Sequence, residues 1–151
     1  MIFIHLLLGI LLGMISGNYF FFILGSIFPD LDHIYIIIKN RLFSLTKIIH
    51  TIKYEKKYKI RYKTELFHSL FGLILFSLLI FVFNKNGAVY FSIAYLLHLL
   101  VDWLDIDAKY YLYPLKIKFK GFLPIWSKTE KIITLILLIV IILLLNKAIF
   151  F

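Results

Sequence analysis

Cysteine is absent from the chain. That excludes a disulfide framework, a thiolate metal site and a cysteine nucleophile, and it leaves oxygen and imidazole as the available ligands. Acidic residues are scarce as well, eight against seventeen Lys and Arg. The resulting net charge of +9 would suit nucleic acid, but the basic residues stand between apolar segments, where anionic lipid headgroups are the simpler counter-ion. Membrane lipid is therefore the expected partner, and nucleic acid is not. The polar surface of a soluble domain is missing too: 62% of the 151 residues are hydrophobic and the mean hydropathy is +0.95, far above the soluble average. The length fits one domain over 1–151, set in a bilayer. Finally, no positive charge precedes the first apolar run. A secretory signal has a basic n-region, so this run is expected to stay in the mature protein.

What is present is a series of apolar segments with turn signals between them. Ile2 to Ser16 would form a helix of about 22 Å, short of the roughly 30 Å hydrocarbon core. Gly17-Asn18 is a turn signal, and a second apolar run, Tyr19 to Phe28, is expected to stop at Pro29. The two read as a helical hairpin, with Gly9, Gly13 and Gly17 forming a small-residue row for close packing. Ile34 to Lys63 mixes apolar and aromatic residues with nine basic ones, as suits a headgroup layer. Leu66 to Phe83 is long enough to span, Asn84-Lys85-Asn86-Gly87 turns, and Ala88 to Leu104 returns. Lys116 to Lys120 alternates with period two, as a short strand or extended loop does. Ser127-Lys128-Thr129-Glu130 has the capping-box form, and Lys131 to about Leu145 is an aliphatic anchor. The expected fold is all-α: a polytopic membrane bundle with a short N-terminal hairpin and three further membrane helices.

This path returns the rare ionisable groups to one level. Pro29-Asp30-Leu31-Asp32-His33 ends the hairpin, and His5 begins it. Glu65 and His68 open the third membrane helix, while His98, Asp102 and Asp105 close the fourth at i, i+4 and i+7, on one face. Ionisable groups at membrane depth are functional-site candidates by default. Singly each motif is weak: Asp30 and Asp32 after a proline also fit a solvated pair capping the next helix, and a histidine bonded to an aspartate in a bundle needs no metal. Together they form a mixed nitrogen and oxygen set. His5, Asp30, His33, His68, His98 and Asp102 are the expected ligands for one or two divalent ions, zinc first and manganese or iron next. Such an ion lowers the pKa of bound water to about 7, which makes hydrolysis the natural reaction. Asp32 or Glu65 is the expected general base, and at an interface the substrate would be an anionic, lipid-like amphiphile, plausibly a phosphoester.

Fifteen of the seventeen basic residues lie on the side of this cluster, against Lys85 and Lys147 on the other. By the positive-inside rule the site faces the cytoplasm of a plasma (inner) membrane crossed several times.

Most of the chain resembles a family of inner-membrane metal-dependent hydrolases that includes the LexA-binding membrane protein of enteric bacteria. The likeness rests on His5-Leu6-Leu7-Leu8-Gly9, Pro29-Asp30-Leu31-Asp32-His33, His68-Ser69-Leu70 and His98-Leu99-Leu100-Val101-Asp102. It continues through Leu112-Tyr113-Pro114-Leu115 and the basic alternating segment that ends in Leu123-Pro124. One stretch departs from the family: where it commonly has His-Arg-Gly-x-Thr-His-Ser, this chain has Lys63-Thr64-Glu65-Leu66-Phe67-His68-Ser69. Glu65, one turn before His68, is a geometric substitute for the missing first histidine as ligand or base. The order of Asp, His and His-x-x-x-Asp is also similar, more distantly, to that of helical zinc-dependent phospholipases C, which implies phosphodiester chemistry.

Two other functions fit parts of the pattern. A metal-conducting or metal-sensing protein would need polar residues through the bilayer, and Phe71 to Phe83 offers almost none. A non-enzymatic adaptor would dock a soluble protein partner through its basic arms, as the LexA-binding label implies.

Overall fold

The computed structural model describes residues 1–53, 58, 60, 62–124 and 126–150. Among them the chain is all-α, with β pairing limited to the isolated bridges Asp105 to Leu123 and Lys109 to Phe119. The helices are α1 (Ile2–Ser16), α2 (Tyr19–Ile27), α3 (Leu31–Lys39), α4 (Leu45–Lys53), α5 (Leu70–Phe83), α6 (Lys85–Trp103) and α7 (Lys128–Phe150). Of the basic run expected at the interface, Lys56, Lys57, Lys59 and Arg61 lie outside the described residues.

α1 and α2 pack together as the expected hairpin, with Gly9 and Gly13 buried between them. Gly17 serves the turn instead of the packing row. It caps α1 at φ 75, and its amide donates to the Gly13 carbonyl, a left-handed cap that glycine takes without a steric cost.

Pro29 does not end the second run. Phe28–Asp30 tightens into a 3₁₀ turn that continues into α3, because a proline near the start of a helical segment lacks only an amide that the turn need not use. Tyr19–Lys39 is thereby one helical stretch of 21 residues, and it and Lys128–Lys147 are long and apolar enough to cross a membrane. Among the described residues these two stretches meet that description, whereas α5 of the expected membrane helices is shorter. The third expected span is shorter than its apolar run, since α5 begins at Leu70, where the Ser69 hydroxyl accepts from the Gly72 amide. Its 14 residues rise about 21 Å. Leu66 to Ser69 forms a turn instead, and this turn carries His68 inward.

α6 is the central element. Phe91, Tyr95 and Leu99 are its core, with Leu24, Phe28, Leu73 and Phe76 packed around them. The Tyr95 hydroxyl donates to the Phe67 carbonyl at 2.5 Å, which ties the His68 turn to the same helix. α2 meets α6 backbone to backbone at Gly25, where a Cβ would stand 2.4 Å from the Phe91 carbonyl oxygen. Gly25→Ala is therefore expected to force the helices apart and cost about 1–3 kcal/mol, as overpacked cores do, read as a lower thermal midpoint in detergent.

Outside this core the helices present apolar side chains: Phe81, Val82 and Phe83 on α5, and Leu135, Ile136, Ile139 and Leu143 on α7, are exposed. The alternating segment is not a strand. Only Phe119 pairs, with Lys109, and Lys116, Lys118 and Lys120 are exposed.

Candidate metal centre

Five chain segments bring ionisable side chains to the C-terminal end of α6. His98 and Asp102 come from α6 itself, His5 from α1, Asp30 from the 3₁₀ turn, Asp32 from the first turn of α3 and His68 from the turn before α5. His5, His68, His98 and Asp102 are each 1% exposed, and Asp30 and Asp32 are buried. Burying so many charged or chargeable groups is costly unless they are paired or hold a cation.

Each histidine's orientation follows from a partner. His98 Nδ1 lies 2.7 Å from the Ser26 carbonyl, which can only accept, so in the neutral ring Nδ1 carries the proton and Nε2 the lone pair. His68 Nδ1 lies 3.1 Å from Asp32 Oδ2, which fixes that ring the same way. Both Nε2 atoms then turn inward, where neither has a hydrogen-bond partner, and Asp30 Oδ2 likewise accepts no hydrogen bond, while Asp102 Oδ2 has the Lys63 ammonium 2.9 Å away.

The two Nε2 atoms face carboxylate oxygens of Asp30 and Asp102. His68 Nε2 is 3.7 Å from Asp30 Oδ1 and 3.4 Å from Asp102 Oδ2, and His98 Nε2 is 3.8 Å from each of the same two oxygens. Metal bonds of 2.0–2.2 Å in a tetrahedron put neighbouring ligand atoms about 3.4 Å apart. These four nitrogen-to-oxygen separations are at or slightly above that value, and the candidate ligands form two groups that share His98. The ligand atoms of Asp30, His68 and His98 lie within 4.8 Å of one another, as do those of His5, His98 and Asp102.

The remaining expected residues sit around this ring. His5 Nε2 is 3.2 Å from Asp102 Oδ1, and its ring stacks on His98 with centroids 3.7 Å apart. Asp32 takes hydrogen bonds on both oxygens: Oδ1 from His33 Nδ1 at 2.8 Å, and Oδ2 from His68 and from the Thr64 amide and hydroxyl at 2.6 and 2.9 Å. His33 lies outside both ligand groups, paired with Asp32 and 26% exposed on its side chain. Glu65 is half-buried in the His68 turn and belongs to neither group. Asp32→Asn weakens the acceptor that aligns His68 and is expected to lower metal affinity about 10–100-fold, as measured by competition with a chromophoric chelator.

Two functional neighbours are ones that sequence reasoning passed over. Lys63 Nζ stands 2.9 Å from Asp102 Oδ2 and 2.8 Å from Asp105 Oδ2. Burial works against its charge, yet the two carboxylates outweigh burial and hold the ammonium more firmly than usual. Lys109 is buried as well, its ammonium 3.5 Å from the same Asp105 Oδ2, and there burial and the nearby Lys63 charge push its pKa down. For His68, burial opposes protonation but the nearby carboxylates of Asp30 and Asp32 prevail, so in the metal-free chain its pKa is pushed up to about 9. A metal ion at Nε2 would have to displace that proton. The available signal for Lys63 was its place where the resembled family has a histidine.

A cavity of about 700 Å³ adjoins the ring, bounded by Asp30, His33, Lys63 and Asp102 on one side and by residues of α3, α4 and α7 on others. α7 is thus more than an anchor. Its start is capped as the Ser127-x-x-Glu130 pattern implies, by the Glu130 amide donating to the Ser127 hydroxyl, while the Glu130 carboxylate takes the Trp126 amide at 2.5 Å.

Compared with known proteins, residues 1–150 match the family model described as YdjM inner membrane protein. No curated protein and no solved structure matches the chain.

Proposed function

The chain belongs to the YdjM inner membrane protein family, and from that premise we propose that it is a membrane-embedded, metal-dependent hydrolase acting at the cytoplasmic face on an anionic, lipid-like phosphoester. The observation that carries this reading is the pair of imidazole nitrogens without a hydrogen-bond partner, His68 Nε2 and His98 Nε2, that face carboxylate oxygens of Asp30 and Asp102 at 3.4 to 3.8 Å. A donor set that mixes imidazoles and carboxylates favours zinc over the octahedral oxygen ions. A divalent ion held there supplies Lewis acidity and an activated water at neutral pH.

The protein's own groups divide the remaining work. Ser26 and Asp32 orient the two histidines, and an outer partner of this kind is what fixes a metal-binding imidazole. Asp32, with four hydrogen bonds already accepted, is better suited to orienting than to taking a proton. His33, held by Asp32 and lining the cavity, is the group placed to hold or deliver a proton at a bound substrate. Lys63 and Lys131 line the same cavity with Asp105, Asp107 and Glu130, so a bound ion would supply most of the positive charge that an anionic head meets.

The basic bias toward the site side supports a cytoplasmic orientation, and the exposed apolar faces of α5 and α7 support several crossings, with α5 and α6 as a paired hairpin. The test is elemental analysis of detergent-purified protein together with phosphodiester hydrolysis before and after chelation. About one zinc per chain, with activity lost on chelation and regained on zinc addition, is the expected result. Metal-free protein that is unchanged by added zinc would refute the proposal.

A further inference from the structure

The cluster at the end of α6 offers more donor atoms than one ion needs, yet its two ligand groups do not add up to two ions. His5, His98 and Asp102 form one group, and Asp30, His68 and His98 the other. Both call on His98. Its Nδ1 is taken by the Ser26 carbonyl at 2.7 Å, so only the Nε2 lone pair is left for a metal, and one lone pair binds one ion. The groups are therefore alternative ligand sets. Among the described residues, a second ion beside the first would have to draw on a carboxylate outside both groups.

Asp105, fully buried three residues past Asp102, is the carboxylate so placed. A cation already occupies it. Asp105 Oδ2 and Asp102 Oδ2 converge on the Lys63 ammonium at 2.8 and 2.9 Å, and Lys63 comes from a segment 42 residues before Asp105 in the chain. In a two-metal site the ions lie about 3.5–4 Å apart, and a carboxylate next to one ion commonly reaches the other. Asp102 has that position here, with an ammonium on its free side. Lys109 does not share the place: its ammonium is 3.5 Å from Asp105 Oδ2 and is tied to the Asp105 and Asp107 carbonyls at 3.4 and 3.2 Å.

We propose that the Lys63 ammonium takes the place of a second metal ion, which limits the centre to one divalent ion beside a cation built into the chain. The proposal deepens the hydrolase reading and rests on it for that first ion. Two properties separate the ammonium from the ion it replaces. It is covalently fixed, so no chelator removes it, and it offers only hydrogen-bond donors, so it holds charge without generating a nucleophile from water. Asp102 and Asp105 pass to a metal together only when the ammonium is gone.

The test counts zinc by elemental analysis in detergent-purified protein equilibrated at a fixed free zinc concentration, with the thermal midpoint as the check on folding. Wild type is expected to hold about one equivalent. Lys63→His, which exchanges the ammonium for a neutral zinc ligand, is expected to hold about two, and adding Asp105→Asn is expected to return the count to about one. Lys63→Ala is the second variant should Lys63→His fail to fold; it is expected to gain its equivalent at a higher free zinc concentration. Folded variants that stay at the wild-type count, or a gained equivalent that survives Asp105→Asn, would overturn the proposal. The count also separates the two readings. Wild type without zinc, beside a Lys63→His variant whose single zinc is lost with Asp105→Asn, keeps the Lys63 place as a cation site and removes the metal-dependent hydrolase. Wild type that keeps its one ion while neither variant gains another does the reverse.

Discussion

Asp102→Asn is expected to leave a folded protein that no longer keeps its metal. The substitution preserves volume and one acceptor oxygen, so the stacked His5 and His98 rings and the Tyr95 core have no reason to move. What it removes is charge at the point where most partners meet. Asp102 Oδ2 lies 3.4 Å from His68 Nε2 and 3.8 Å from His98 Nε2, and its other oxygen is 3.2 Å from His5. A neutral amide is a poor ligand for zinc, and its NH₂ would point either at a histidine lone pair or at the ion itself. Loss of a merely supporting partner weakens a metal site about 10–100-fold, and loss of a ligand should exceed that. Zinc content after dialysis is expected to fall below about a tenth of an equivalent, with hydrolysis falling in step. Unchanged stoichiometry and affinity would mean that the ion, if bound, sits elsewhere.

Much of this arrangement was legible in the chain because it depends on local geometry. His98 and Asp102 share a face through four-residue spacing, which any helix enforces. Gly17-Asn18 reads as a turn because a left-handed cap there needs glycine. The boundaries were harder. Leu66 to Phe83 is one unbroken apolar run, and its first four residues leave the helix because Ser69 caps it and Tyr95 holds the Phe67 carbonyl; the second cause is a contact 28 residues away. Pro29 reads as a stop, yet a 3₁₀ turn carries the helix past it. The α7 stripe that lines the cavity cannot be told from a lipid-facing one by pattern, since both are aliphatic. Lys63 was the hardest. Within nine basic residues it looks like a headgroup contact, and nothing in its neighbours distinguishes a lysine that faces phosphate from one that faces Asp102 and Asp105.

That lysine supports the second strong expectation. Lys63 is a built-in cation: its ammonium bridges Asp102 and Asp105, whose side chains are each 1% exposed, and its own side chain is 12% exposed. Lys63→Met keeps most of the apolar stem that packs there and removes only the charge. Lys109 remains on Asp105 at 3.5 Å, but Asp102 loses its sole ammonium partner among the described residues. Breaking a buried pair from one side costs up to about 3–5 kcal/mol, part of which the His68 imidazolium 3.4 Å from Asp102 offsets in the chelated protein, whereas a lysine in a solvated run would cost no more than about 0.5 kcal/mol. Chemical denaturation of chelated protein is the measurement that decides between them. Zinc should then rescue the variant more than it rescues the wild type, because in Lys63→Met the ion is the nearest positive charge left to Asp102. Binding to the native state stabilises by mass action, so the difference between chelated and zinc-loaded midpoints is expected to widen. Equal widening in both proteins would place the Lys63 charge outside the metal centre's electrostatics.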